Sequence, residues 1–123
     1  MAMIDLSGKV VLVTGGSRGI GAATVRQIVA TGGEAIIHYG SNVEAAQALA
    51  RDVGEEHVHI CQADMLSVTE TEALWDDAVA WRGRIDVLVN NAGVYETCLL
   101  DQALDDWLAG WERSMRINLT SAA

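Results

Sequence analysis

The residues best suited to chemistry stand at the ends of short apolar runs. Thr14-Gly15-Gly16-Ser17-Arg18-Gly19-Ile20-Gly21 follows directly on Val10-Val11-Leu12-Val13. Glycines at 15, 19 and 21 remove Cβ atoms where a chain must turn tightly and something must approach closely. A glycine turn feeding a helix presents unpaired N–H groups and the positive end of the helix dipole. That is an anion site, and pyrophosphate is its usual guest. The spacing G-x-x-x-G-x-G departs from the general G-x-G-x-x-G dinucleotide pattern, so the glycines alone also fit an ordinary tight turn.

Three later run-ends carry polar groups. Ala35–Tyr39 ends in His38-Tyr39-Gly40-Ser41-Asn42, without the acid that an NAD site places near here for the ribose 2′-hydroxyl; Glu44 already lies in the next helix. Arg18 can reach the same region, and a guanidinium facing a 2′-phosphate is a charge-assisted, fork-shaped contact. A missing acid beside an arginine argues for NADP(H), the alternative being that Arg18 is a solvated turn residue. His57–Cys61 leads to Asp64, whose carboxylate can accept an adenine amino group or cap the following segment. Ile85–Val89 leads to Asn90-Asn91-Ala92-Gly93, where two amides and a glycine suit a turn that bonds neighbouring backbone and lets a flat ring lie against it.

The elements that position these groups alternate. The strands are Val10–Val13, Ala35–Tyr39, His57–Cys61 and Ile85–Val89, each a short run consistent with a buried parallel strand. Between them lie helices. The first runs from Ile20 to Val29, with Ile20, Ala23, Val25, Ile28 and Val29 on an inward stripe. The second spans Val43 to about Val53, capped by Ser41 or Asn42. The third starts at Ser67 or Thr69, packs through Leu74, Ala78 and Trp81, and stops at Gly83. A last helix extends from about Leu104 to the chain end. Strand–helix alternation with right-handed crossovers predicts an α/β, doubly wound parallel sheet. In such a sheet ligands bind outside the carboxyl ends of the strands, where strand order reverses.

Composition narrows the classes. Half of the 123 residues are apolar, which excludes disorder, and a net charge of −9 argues against nucleic acid or an anionic membrane as partner. No apolar run approaches the roughly 20 residues of a membrane span, and the N-terminus has no signal-like core. Cys61 and Cys98 read as buried free thiols in a reducing, cytoplasmic setting. His57 and His59 alternate on one strand face with no third ligand in view, so no metal site is expected. Trp75 reads as core. Trp107 and Trp111 read as core or as a subunit-contact stripe, and Asp101, Asp105, Asp106 and Glu112 as a solvated helix start.

Together, Thr14–Gly21, Asp64, Asn90-Asn91-Ala92-Gly93 and Asn118 resemble the short-chain dehydrogenase/reductase family, nearest to its bacterial 3-oxoacyl-thioester reductase-like members. The resemblance implies a Rossmann-like fold. It also implies an NADP(H)-dependent oxidoreductase acting on a small-molecule ketone or secondary alcohol. Gly15, Ser17, Arg18, Gly19, Ile20 and Gly21 would hold the cofactor phosphates, with Arg18 and Ser41 at the 2′-phosphate and Tyr39 also among the cofactor-binding residues. Asp64 and Met65 would flank the adenine, and Asn91, Ala92 and Gly93 would line the adenosine and nicotinamide side. Asn90 would tie the fourth strand to its neighbours. Asn118 would be the catalytic asparagine that holds a relay water, on a helix that packs against a second subunit in a homo-oligomer.

The family's serine and Tyr-x-x-x-Lys pair are not among these residues: the only tyrosines are Tyr39 and Tyr95, and the only lysine is Lys9. Residues 1–123 therefore read as the N-terminal, cofactor-binding part of one domain, interrupted within its last helix and inactive alone. Two rivals stay open: a nucleotide-binding module without catalysis, and an enzyme whose second half is a separate chain.

Overall fold

A computed structural model describes residues 3–123. Strands β1 (Val10–Val13), β2 (Glu34–Tyr39), β3 (Val58–Gln62) and β4 (Val87–Val89) form one four-stranded parallel sheet in the order β3-β2-β1-β4. Helices α1 (Gly19–Ala30), α2 (Val43–Val53) and α3 (Val68–Arg82) make the crossovers that parallel pairing requires, and α4 (Leu104–Asn118) follows β4.

Local chemistry sets the helix limits. Asn42, not Ser41, caps α2, its Oδ1 accepting from the Ala45 N–H at 3.0 Å. Ser67 caps α3 through the Glu70 N–H at 3.1 Å, and Gly83, at φ +80°, ends it in the left-handed conformation. Arg18 stands at the N-cap position of α1 with no side-chain cap.

The sheet buries both faces. Val11, Val13, Ala35 and Ile37 pack with Val25 and Ile28 of α1 and Ala46 and Leu49 of α2. Val10, Leu12, Ile36 and Cys61 pack with Leu74 and Ala78 of α3. Period-two alternation along each strand thus feeds two separate cores, and the fold is Rossmann-like and doubly wound.

Several expected placements are corrected. Ile20 and Ala23 do not face inward. Ile20 is 80 % exposed, because the first turn of α1 projects beyond the strand ends, and the buried stripe is Gly21, Val25 and Ile28. Trp75 is 46 % exposed, since its neighbour Leu74 takes the inward position on α3. It flanks a groove of about 430 Å³ lined by Leu12, Leu74, Leu88 and Asn90. His57 belongs to a 3₁₀ turn (Glu55–His57) and pairs with Glu56, so it shares no strand face with His59. Strand β4 begins at Val87, two residues later than expected, because the Asp86 carboxylate is taken by the Val10 N–H (2.8 Å) and by Arg84 (3.1 Å). It pairs only with β1 among the described residues, and Val87 and Leu88 remain 43 % and 41 % exposed. Helix α4 ends at Asn118, followed by a 3₁₀ turn (Thr120–Ala122) instead of continued helix.

Candidate nucleotide-binding site

The sheet order reverses at β1, which has β2 on one side and β4 on the other. The crevice of a doubly wound sheet opens at such a point. The glycine turn after β1 and the asparagine turn after β4 both stand there.

The glycine turn is specified by contact as well as by backbone angle. Gly15 has φ +61°, and a Cβ on it would lie 3.0 Å from Cα of Ala92. A Cβ on Gly21 would lie 2.2 Å from the Gly15 carbonyl oxygen. Gly19, at φ +55°, instead faces open space. One side of the turn is therefore packed and the other clear, a cradle a Cβ would fill on the inside and a ligand could approach from the outside. Among the described residues no acceptor takes the N–H groups of Ser17, Arg18, Gly19 or Ile20, the start of α1. Those donors, with the helix dipole behind them, fit a pyrophosphate. Exposed Ile20 lies at the mouth of this turn.

Thr14 and Asn91 bind the two turns together. Thr14 Oγ1 accepts from the N–H groups of Asn91 and Ala92, both at 3.0 Å, and donates to the Val89 carbonyl at 3.4 Å. Asn91 Nδ2 donates to the carbonyls of Thr14 and Gly15, both at 3.1 Å. The tie expected of Asn90 is thus made by Asn91. Asn90 is exposed and borders the groove beside Trp75. With its amide donors spent on main chain, Asn91 shapes the crevice, leaving Ala92 and Gly93 to form its wall. Thr14 was legible only as a hydroxyl closing an apolar run; its partners lie more than 70 residues away.

β2 and β3 supply the other rim. His38, 2 % exposed, accepts from the Gly15 N–H at Nδ1 (2.9 Å), so its proton sits on Nε2, which donates to the Ala63 carbonyl (2.9 Å). Its own carbonyl accepts from the Gly16 N–H at 2.9 Å. Burial pushes the His38 pKa below the usual histidine value, and the Ala63 contact offsets this in part. Sequence reading missed this role.

Asp64 follows immediately and is exposed. Its Oδ1 accepts from the Leu66 N–H at 2.9 Å, and no described residue engages Oδ2. Met65 departs from expectation: its side chain is buried in the α3-side core, so it offers the site only main chain. Tyr39 packs against the α1–α2 core, on the opposite sheet face from His38. Ser41 and Arg18 are exposed; Ser41 makes no capping bond, and no described carboxylate pairs with Arg18.

Asn118 lies at the same end, its Oδ1 3.3 Å from where a Gly93 Cβ would stand. Its amide is already paired with Val94, accepting from the N–H at 2.7 Å and donating to the carbonyl at 2.8 Å. The side chain therefore holds the segment after the asparagine turn, instead of pointing a free amide at solvent.

On the α3 side of the sheet, His59, Cys61 and Asp77 gather with their donor atoms within 4.8 Å of one another, so His59 does have further ligand-type neighbours. They satisfy each other: Cys61 Sγ donates to Asp77 Oδ2 at 3.1 Å, His59 Nε2 lies 3.4 Å from Asp77 Oδ1, and the His59 ring stacks on Trp81. Burial and the Asp77 carboxylate push the Cys61 thiol far up, which keeps it protonated.

Residues 9–123 match the family model described as short chain dehydrogenase, and the chain belongs to that family of oxidoreductases. A 3-oxoacyl-[acyl-carrier-protein] reductase of Synechocystis sp. is 40 % identical over 111 residues, covering 87 % of this chain and 44 % of that protein. Among solved structures, a blue fluorescent protein from a metagenomic library in complex with NADPH superposes with a TM-score of 0.85 at 36 % identity, over 96 % of this chain and 48 % of the other. The Pseudomonas aeruginosa RhlG/NADP active-site complex gives 0.83 at 31 % identity, over 96 % and 45 %. The chain spans about half the length of these relatives. No described helix is long and apolar enough to cross a membrane.

Proposed function

We propose that this chain forms the cofactor half of an NADP(H)-dependent carbonyl reductase or alcohol dehydrogenase. The observation that carries this is the meeting of Gly15, His38, Ala63-Asp64 and Asn91 at one end of the sheet, linked by hydrogen bonds of 2.9–3.1 Å. The start of α1, with Gly15, Ser17, Gly19, Ile20 and Gly21, would hold the pyrophosphate. Arg18 and Ser41, whose side chains have no partner among the described residues, would take the 2′-phosphate, with Tyr39 main chain beside them. Asp64 Oδ2 and Met65 main chain would meet the adenine, and Ala92 and Gly93 would carry the remaining adenosine and the nicotinamide ribose. When bound, the nicotinamide supplies a hydride to, or takes one from, a carbon bearing oxygen. The two relatives solved with NADPH and NADP support a phosphorylated cofactor.

The proton for that reaction would come from residues outside 1–123, because Lys9 is the only lysine here and neither tyrosine has a lysine four positions on. Asn118, close to the asparagine turn, would position the segment after β4 in the relay. The whole protein would act on a small ketone or secondary alcohol in the cytoplasm, as a homo-oligomer packed through α4.

Fluorescence titration of the intact polypeptide with NADPH and NADH tests this, together with turnover on a ketone. NADPH-selective binding with turnover supports the enzyme. Tight binding without turnover supports a nucleotide-binding module. The same result reversed by adding a second polypeptide supports a two-chain enzyme. The lone lysine favours these last two over an active 123-residue chain.

A further inference from the structure

We propose that His38 is a positioning residue for the cofactor site: its neutral, Nε2-protonated ring holds the glycine turn in its binding shape by joining β1, β2 and β3 at their carboxyl ends. The inference rests on the nucleotide-binding reading and extends it to a residue that touches no ligand.

Three bonds of equal length carry the argument. The Gly15 N–H donates to Nδ1, the Gly16 N–H donates to the His38 carbonyl, and Nε2 donates to the Ala63 carbonyl, each at 2.9 Å. His38 therefore takes the N–H groups of Gly15 and Gly16, while those of Ser17 to Ile20 have no acceptor among the described residues. It also fixes Ala63, the residue before Asp64. A single imidazole so sets the separation between the phosphate end and the adenine end of the crevice. Both ring nitrogens are used, one as acceptor and one as donor, which only the neutral Nε2–H tautomer allows.

Protonation would put an N–H on Nδ1, facing the Gly15 N–H. Two donors would then oppose each other in a buried place, and the turn would have to open. The titratable and charged groups on the elements around the ring are Arg18 on the turn, Tyr39 of β2, His59 and Cys61 of β3, Cys61 being in register with His38, Asp64 and Glu70 beyond β3, and Asp77 of α3. His59 is the other histidine among them, engaged by Asp77 at 3.4 Å and stacked on Trp81, and it is present in both wild type and His38→Asn, so the difference between those two proteins isolates the His38 ring. Burial further favours the neutral ring.

The test is NADPH affinity of the intact polypeptide from pH 5 to pH 8, for the wild type, His38→Asn and His38→Leu. Leucine removes the acceptor, leaving the part-buried Gly15 N–H without it, and should weaken binding about tenfold at pH 7.5. Asparagine places an acceptor at the Nδ1 position without a titratable proton. It should recover most of that loss and give a nearly flat profile, whereas wild-type affinity should fall up to about tenfold per pH unit once the ring protonates. Identical pH profiles for wild type and His38→Asn would overturn the proposal, as would unchanged binding in a folded His38→Leu. A wild type that binds no NADPH at any pH defeats the nucleotide reading instead. The tie is then judged by ¹⁵N spectra of the imidazole: a proton on Nε2 upholds it, and a proton on Nδ1 or on both nitrogens at pH 7.5 overturns it.

Discussion

Asn91 and Gly15 are joined side chain to main chain, with Asn91 Nδ2 3.1 Å from the Gly15 carbonyl oxygen and equally close to that of Thr14. The turn after the fourth strand therefore holds the turn after the first, 76 residues earlier in the chain. Asn91→Ala would leave two part-buried carbonyls without this donor and should cost about 1–3 kcal/mol. Asn91→Asp should cost more, because a carboxylate would face two carbonyl oxygens. Urea unfolding midpoints measure both, and a smaller loss for Asp than for Ala would contradict the donor role.

Gly21 and Gly19 should respond differently to alanine. At Gly21 the new Cβ would lie 2.2 Å from a backbone oxygen, which forces the turn and α1 apart. At Gly19 the space is open and only φ +55° is unfavourable. Gly19→Ala should cost about 1–2 kcal/mol, and Gly21→Ala clearly more. Thermal melts of the two variants give the order.

Arg18 is exposed at the N-cap of α1, its side chain having no partner among the described residues. Arg18→Ala should weaken NADPH binding roughly tenfold or more, the scale of a charge-assisted hydrogen bond, and leave NADH binding nearly unchanged. Equal losses with both cofactors would count against a 2′-phosphate contact.

Stability should fall as pH drops from about 6.5 toward the lower folded pKa of His38. In that window the unfolded chain binds a proton that the folded chain refuses, so stability rises with pH, and below the folded value the effect levels off. The slope is at most about 1.4 kcal/mol per pH unit for one group. Wild type minus His38→Asn in urea titrations isolates it from the carboxylates Asp77 and Asp86, whose lowered pKa values act at lower pH.

Cys98 should react with a thiol reagent well before Cys61. Cys98 is half-buried, whereas Cys61 is buried and its thiol is held protonated beside Asp77. Mass mapping after brief alkylation shows which cysteine is labelled first.

The order of strands and helices was readable because each run carries its own punctuation. Asn42 and Ser67 cap, Gly83 stops, and β-branched residues fill β1 and β2. Convergence of the glycine turn, Asp64 and the asparagine turn followed from parallel topology alone. What periodicity could not supply is the reach of the sheet under each helix. Ile20 follows the inward spacing of α1 but has no strand beneath it, and Trp75 loses its place to Leu74 one position before. Bonds between residues far apart in sequence were equally hidden. His38 to Gly15 spans 23 residues and Thr14 to Asn91 spans 77, so neither role is marked locally.

The central claim is that the ends of all four strands form one dinucleotide surface. Amide hydrogen exchange of the intact polypeptide with and without NADPH tests it most directly. Protection should appear together at Gly15–Gly21, His38–Ser41, Ala63–Met65 and Asn91–Gly93. Protection confined to one of these segments, or found instead at the opposite ends of the strands, would contradict it.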